Sequence, residues 1–213
     1  MDKDQIFDMA VEQRMLLIDV LDGLTIEQWN APSLCDGWRV REVVGHLVSI
    51  LEVPFPRWVI GIARHRSFDA QADKLAREFA TTEPADLLTR YRALADSRFA
   101  PPMLGPRAPL SDVLIHTSDI TRPLGTPVHT SENALETVLE YLQSGQAKGF
   151  VSKSVIAGLR FAPTDLGRSF GSGPEVVGPA EAIIVSLAGR TSALDELSGE
   201  GAPMLATRFA PGS

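Results

Sequence analysis

Amphipathic helical patterns follow one another along the first two thirds of the chain, and they constrain its fold more than any other feature. Between Asp4 and Gly145, apolar residues recur every three or four positions, and proline or glycine interrupts the pattern at intervals. After about Phe150 the character changes, because residues 158–162 predict a strand, and residues 169–178 predict a turn followed by a second strand, before a further helix. The sequence therefore predicts a mainly α protein with a helical domain at residues 1–148 and a small α+β subdomain at residues 149–213.

The glycines at Gly171 and Gly173 fall between the two predicted strands. A glycine-rich loop that binds phosphate needs a lysine and a strand-loop-helix order, and this segment has neither. We therefore expect a hairpin turn here.

Composition narrows the classes of function. The chain has 213 residues and a formal net charge of −7, and its Lys and Arg residues are scattered, which argues against a nucleic-acid partner. The longest apolar stretches, residues 43–51 and 182–188, are far shorter than the ~20 residues of a membrane span, so no membrane association is expected. The N-terminus lacks a signal-peptide pattern, which predicts a cytoplasmic protein. A homodimer is left open.

Histidines lie in two of the predicted helices. Asp112 and His116 are four residues apart, so they share one helix face and can reach one metal ion, and Asp119 continues the stripe. His46 lies beside the apolar stripe of an earlier helix. The alternative is that both histidines are core residues, with His116 hydrogen-bonded to Asp112 and Asp119 paired with Arg122.

The remaining candidate residues do not require a role in a metal site. Cys35 is the single cysteine, so any metal must rely on His and carboxylate ligands, and Cys35 itself is expected to be a small buried residue. His65 and His129 are expected to be exposed. Three arginines of the C-terminal part could hold an anionic substrate, although exposed charges are the default expectation: Arg160, Arg168 and Arg190.

Several segments together resemble a known family. They are Trp29, residues 32–47 with the sequence Gly-Trp-Arg-Val-Arg-Glu-Val-Val-Gly-His at 37–46, residues 112–125, residues 178–190 and residues 197–201. In this order they are similar to the mycothiol-dependent maleylpyruvate isomerase-like proteins. The N-terminal domain of that family belongs with the DinB-like metal-binding four-helix bundles, so the resemblance implies this fold for residues 1–148.

The resemblance also implies a site. Matched residue by residue, it assigns the metal ligands to His46, Asp112 and His116. Asp112 stands where the isomerase has a glutamate, which shortens the side chain by one methylene. Two imidazoles and one carboxylate suit a divalent metal, zinc first and nickel or ferrous iron as alternatives. Asp119 is then a candidate partner that orients a ligand histidine from behind.

The expected activity follows from the same resemblance. Three protein ligands leave a coordination position open, and a thiol bound there loses its proton at neutral pH. We expect an enzyme that uses mycothiol or a similar thiol as cosubstrate, for isomerisation or sulfur transfer on a small electrophilic molecule. The alternatives are a metal-binding or regulatory bundle without turnover, and a protein in which the histidines are purely structural.

Overall fold

The structure is a computed structural model that describes residues 1–102, 104–147 and 149–209. Helices dominate these residues, and one small sheet lies near the C-terminus of the chain, which confirms the mainly α fold class with an α+β part there. The helices are α1 (Lys3–Asp22), α2 (Ile26–Trp29), α3 (Val40–Glu52), α4 (Phe55–His65), α5 (Phe68–Phe79), α6 (Pro84–Ala93), α7 (Arg107–Leu124), α8 (Glu132–Gln143), α9 (Lys153–Ile156), α10 (Ala180–Leu187) and α11 (Gly201–Thr207). The strands are β1 (Arg160–Pro163), β2 (Phe170–Gly171) and β3 (Glu175–Gly178), and a 3-10 helix covers Thr191–Glu196.

The chain forms two compact units, Met1–Val128 and His129–Ser213. The predicted boundary at residue 148 lies later than this division. The reason is α8, which packs against α10 and β2 and so covers the sheet of the second unit. Its amphipathic pattern predicts a helix correctly, but it does not say which partner the apolar face covers.

The first unit is the helical bundle that the sequence predicts. Within it, α1 packs against α6 and α7, while α3 packs against α5, α6 and α7. Capping boxes begin two of its helices: Asp2 with Gln5 at α1, and Thr25 with Gln28 at α2. Among the described residues, no helix has both the length and the apolar character that crossing a membrane requires.

The sheet of the second unit has the strand order β2-β1-β3, antiparallel between β1 and β2 and parallel between β1 and β3. The expected hairpin at residues 171–173 is therefore wrong, because β2 and β3 lie on opposite sides of β1. The turn between them passes over the chain just before β1. A Cβ atom at Gly173 would collide with the carbonyl oxygen of Gly158, so this close approach requires glycine.

Candidate metal centre

Helix α7 carries two of the three candidate ligands through the interior of the bundle. Asp112 and His116 share one face, and from Val113 to Thr121 every residue of the helix is buried. Its hydroxyl groups satisfy themselves locally: Thr117 donates to the Val113 carbonyl at 2.7 Å and Thr121 to the Thr117 carbonyl at 2.9 Å. A helix with several hydroxyl side chains can therefore be buried while few of its polar groups lack a hydrogen bond.

Helix α3 carries the third candidate, His46, which is 4 % exposed. Gly45 precedes it and lies against α5, where an added Cβ atom would be 2.5 Å from the Ala76 carbonyl oxygen. The missing side chain allows the two helix backbones to approach closely. The glycine thus sets how deeply α3, and with it His46, sits in the bundle.

The structure brings the three predicted ligands together. Asp112 Oδ1 lies 3.5 Å from His46 Nε2 and 3.6 Å from His116 Nε2. The donor atoms of all three residues lie within 4.8 Å of one another. The two imidazole rings meet edge to face, with centroids 4.8 Å apart.

A second carboxylate, that of Asp119, contacts the other ring nitrogen of His116. Nδ1 of His116 is 2.8 Å from Oδ2 of Asp119, a carboxylate that is fully buried. The thiol of Cys35 donates to the same Oδ2 at 3.0 Å and lies 3.8 Å from His116 Nδ1. An acceptor at Nδ1 places the proton there and leaves the Nε2 lone pair for a metal, which is the arrangement expected of a ligand histidine.

The loop before α3 closes over this cluster. Ser33 Oγ donates to the Trp38 carbonyl at 2.9 Å, which turns the loop back on itself. The Leu34 amide donates to the backbone carbonyl of Asp119 at 3.0 Å and ties the loop to α7. Trp38 lies over the histidines, with its ring 5.4 Å from that of His46 and 6.4 Å from that of His116. The Gly-Trp motif therefore forms one wall of the site.

Charges in the cluster are strongly coupled. Burial raises the pKa of Asp112, but the hydrogen bond and charge of His46, with the charge of His116, outweigh it and hold the pKa below 3.8. Burial lowers the pKa of His46. Burial also lowers the pKa of His116, but hydrogen bonds with Asp119 and Cys35 outweigh it and raise the pKa to about 10. Without a metal, a neutral His46 and a protonated His116 thus flank the Asp112 carboxylate.

The donor set fits a divalent cation. Nitrogen and oxygen donors bound tetrahedrally at about 2.0–2.1 Å lie about 3.4 Å from one another. The two distances from Asp112 Oδ1 to the imidazole nitrogens match this separation. The donors come from helices of a packed bundle, so little rearrangement would bring them to such a cation.

The other predicted candidates lie outside this cluster. His65 and His129 are exposed, as expected. Cys35 is partly buried, as a small loop residue should be, but its contact with Asp119 was not predicted, because 84 residues separate the two in the chain. The three arginines of the second unit have partners there: Glu175 for Arg160, Glu140 for Arg168 and the Ala188 carbonyl for Arg190.

Sequence reasoning missed two residues beside Asp112. Arg14 is 2 % exposed and Tyr91 is fully buried, and both line a small cavity together with Asp112. A signal existed for Arg14, because it lies three and four residues before Leu17 and Ile18 on the buried stripe of α1. An arginine on an apolar stripe needs a buried acceptor or anion.

Comparisons with known proteins agree with this picture. No curated protein matches the chain. Two solved structures are similar: the mycothiol-dependent maleylpyruvate isomerase and a histidine-to-alanine mutant of it, each with a TM-score of 0.63, 14 % identity, and coverage of 95 % of this chain and 94 % of the other. At this identity the similarity shows the fold. Residues 12–100, which include His46, match the family model for the mycothiol maleylpyruvate isomerase N-terminal domain, and this match supports the resemblance that the motifs indicate.

Proposed function

We propose that this chain is a divalent-metal-dependent enzyme that uses a low-molecular-weight thiol of the mycothiol type to isomerise a small electrophilic substrate or to transfer sulfur to it. One observation carries the proposal: His46, Asp112 and His116 converge from two helices with metal-ligand spacing, and Asp119 lies behind His116. The family match of residues 12–100 supports the thiol-dependent class.

His46, Asp112 and His116 would hold the metal. Zinc is the first choice because it accepts two imidazoles and a carboxylate in a tetrahedral site, and nickel or ferrous iron would accept the same donors. Three ligands from the protein leave a coordination position for a cosubstrate, which is the mark of a catalytic site. When bound, the cation supplies a Lewis acid that lowers the pKa of a thiol from about 8.5 to below neutral.

The residues of the chain prepare this chemistry. Asp119 accepts the Nδ1 proton of His116 and so fixes the tautomer of that ligand. Trp38 covers the imidazoles and limits the access of water from its side. A thiolate delivered here can add to an activated carbon-carbon double bond, whose π electrons move to the neighbouring carbonyl. Rotation about the resulting single bond and expulsion of the same thiolate then give the isomer.

Maleylpyruvate with mycothiol is the first substrate pair to test, because the structurally similar proteins are described as mycothiol-dependent maleylpyruvate isomerase. The reaction suits the cytoplasm, where small thiols are kept reduced.

A bundle that binds a metal without turnover is the second candidate. It is favoured by the size of the cavity beside Asp112, about 10 Å³, which admits one water and neither a thiol nor a substrate. On the enzyme hypothesis, the cosubstrates must enter from another side of the donors.

Elemental analysis of the purified protein tests the metal, followed by assay of isomerisation with mycothiol. We expect about one divalent metal per chain and none in a His46→Ala variant. A His65→Ala variant is the matched control, because His65 is exposed and should leave the metal content unchanged. Protein that binds no metal under any condition would disprove the proposal, whereas bound metal without turnover of any thiol and electrophile pair would favour the second candidate.

A further inference from the structure

A small cavity adjoins the candidate metal centre inside the bundle. Its polar walls are Arg14 of α1, Tyr91 of α6 and Asp112 of α7, and its volume is about 10 Å³. The rest of the lining is mainly aliphatic, with Leu47 and Ile50 of α3 among it. A space of this size holds one water, provided that polar groups around it supply two to four hydrogen bonds.

Tyr91 provides the first of these groups. Its side chain is fully buried, and its hydroxyl forms no hydrogen bond with any residue that the structure describes. Buried hydroxyl groups almost always have a hydrogen-bond partner, because they have lost the hydrogen bonds that bulk water would supply. The hydroxyl therefore needs a partner, and Tyr91 lines the cavity where such a partner could bind.

Arg14 provides the second group. Its Nη1 donates to the carbonyl oxygens of Ala95 at 3.0 Å and Ser97 at 2.7 Å, which fixes the guanidinium in the bundle. Both of these hydrogen bonds come from Nη1. Arg14 is 2 % exposed and lines the cavity, so Nε and Nη2 are the donors that a group bound there would meet.

Asp112 provides the third group. Its contacts with both histidines come from Oδ1, so Oδ2 remains for another partner. The carboxylate is shorter by one methylene than the glutamate that the family resemblance leads one to expect. A donor on the side of Oδ2 would hold the shorter side chain with Oδ1 directed at the histidines.

We propose that the cavity is a binding site for one water, which accepts a hydrogen bond from Arg14 and donates to Asp112 Oδ2, with the Tyr91 hydroxyl as its third partner. Arg14 and Tyr91 are then positioning residues for a metal ligand. They act on Asp112 through the water and do not touch the metal or substrate. This inference rests on the proposed function, since it assigns Asp112 the role of a ligand.

Tyr91→Phe tests the inference, because it removes only the hydroxyl and keeps the buried ring. We expect the affinity for zinc, measured by competition with a chromophoric chelator, to fall about tenfold, the lower end of what the loss of an outer hydrogen-bond partner causes. The matched control is Tyr141→Phe. Tyr141 is 1 % exposed, and its hydroxyl also lacks a partner within the described residues, but it belongs to the second unit and does not line this cavity.

Equal zinc affinity for Tyr91→Phe and the wild type would overturn the inference while leaving the metal site intact. A wild type that binds neither zinc nor any other divalent metal would instead disprove the proposed function. A high-resolution crystal structure of the metal-free protein decides the water itself. Density within hydrogen-bond distance of both Tyr91 Oη and Asp112 Oδ2 would support it, and a dry cavity would disprove it.

Discussion

The α7 side of the candidate site holds its histidine differently from the α3 side. On α7, His116 is bonded to Asp119, which also accepts from Cys35 and is tied through its backbone to Leu34. On α3, His46 has a buried Nδ1 with no hydrogen-bond partner among the described residues. Both imidazoles contact Asp112 through Nε2, but only His116 is also held by a polar contact at Nδ1, whereas the Nδ1 side of His46 relies on the packing of its helix. The two histidines of the candidate site are therefore held in different ways, and substitutions on the two sides should have different effects.

The largest difference is expected when each histidine is removed from the metal-free protein. His116→Ala leaves the buried Asp119 carboxylate without its imidazolium partner, so we expect the free energy of unfolding to fall by about 3–5 kcal/mol. His46→Ala removes a neutral ring without a partner at Nδ1 and should cost about 1–2 kcal/mol. Urea denaturation with a chelator present measures both. Equal losses would show that the polar contacts of His116 add nothing to stability.

A rise in pH should also remove the ion pair between His116 and Asp119, because His116 then loses its proton. The pKa of His116 is raised to about 10 in the folded protein, against 6.5 in the unfolded chain, so the folded state holds the proton more tightly. The stabilisation is therefore complete below about pH 6.5 and is lost as the pH rises through about 10. The check is the stability of the metal-free protein across this window, compared with His116→Gln. Parallel curves for the two proteins would contradict the assignment.

The α3 side should be sensitive to packing instead. In Gly45→Ala, the added methyl group collides with the Ala76 carbonyl oxygen of α5, so we expect a loss of about 1–3 kcal/mol in the free energy of unfolding. Gly23→Ala is the control, because its new Cβ atom would make an ordinary contact at 3.6 Å. If both variants are equally stable, the close approach of α3 and α5 does not position His46.

The polar support of His116 can also be weakened without changing the shape of the Asp119 side chain. In Asp119→Asn, the charge that fixes the Nδ1 proton is lost, so we expect zinc affinity to fall 10- to 100-fold, or about 1.4–2.7 kcal/mol. Isothermal titration with zinc measures the change. An unchanged affinity would mean that α7 orients His116 by packing, as α3 does His46.

The sequence predicts one half of the site better than the other, for a physical reason. Asp112, His116 and Asp119 lie on one helix, where spacing alone fixes their common face. His46 is brought to them only by the packing of α3 on α7, which the family resemblance supplies and periodicity does not.

The contacts that no pattern predicted are all long-range. Cys35 reaches Asp119 across 84 residues, and Tyr91 meets Arg14 and Asp112 at a cavity bounded by four helices. The sequence of an amphipathic helix likewise does not specify which surface its apolar face covers. For this reason the sequence does not predict that α8 belongs to the second unit. Local sequence patterns determine the helices and their apolar faces, and tertiary packing determines which of these faces contact each other.

The closure of the loop onto α7 has a practical consequence. Cys35 is the only cysteine in the chain, it is partly accessible, and its sulfur lies 3.8 Å from Nδ1 of His116, a candidate ligand. A maleimide or haloacetamide dye would thus attach at one place, next to the donors, without any engineered residue. The rate of labelling, followed by the absorbance or fluorescence of the dye, would report how accessible Cys35 is in the loop before α3, with and without added metal.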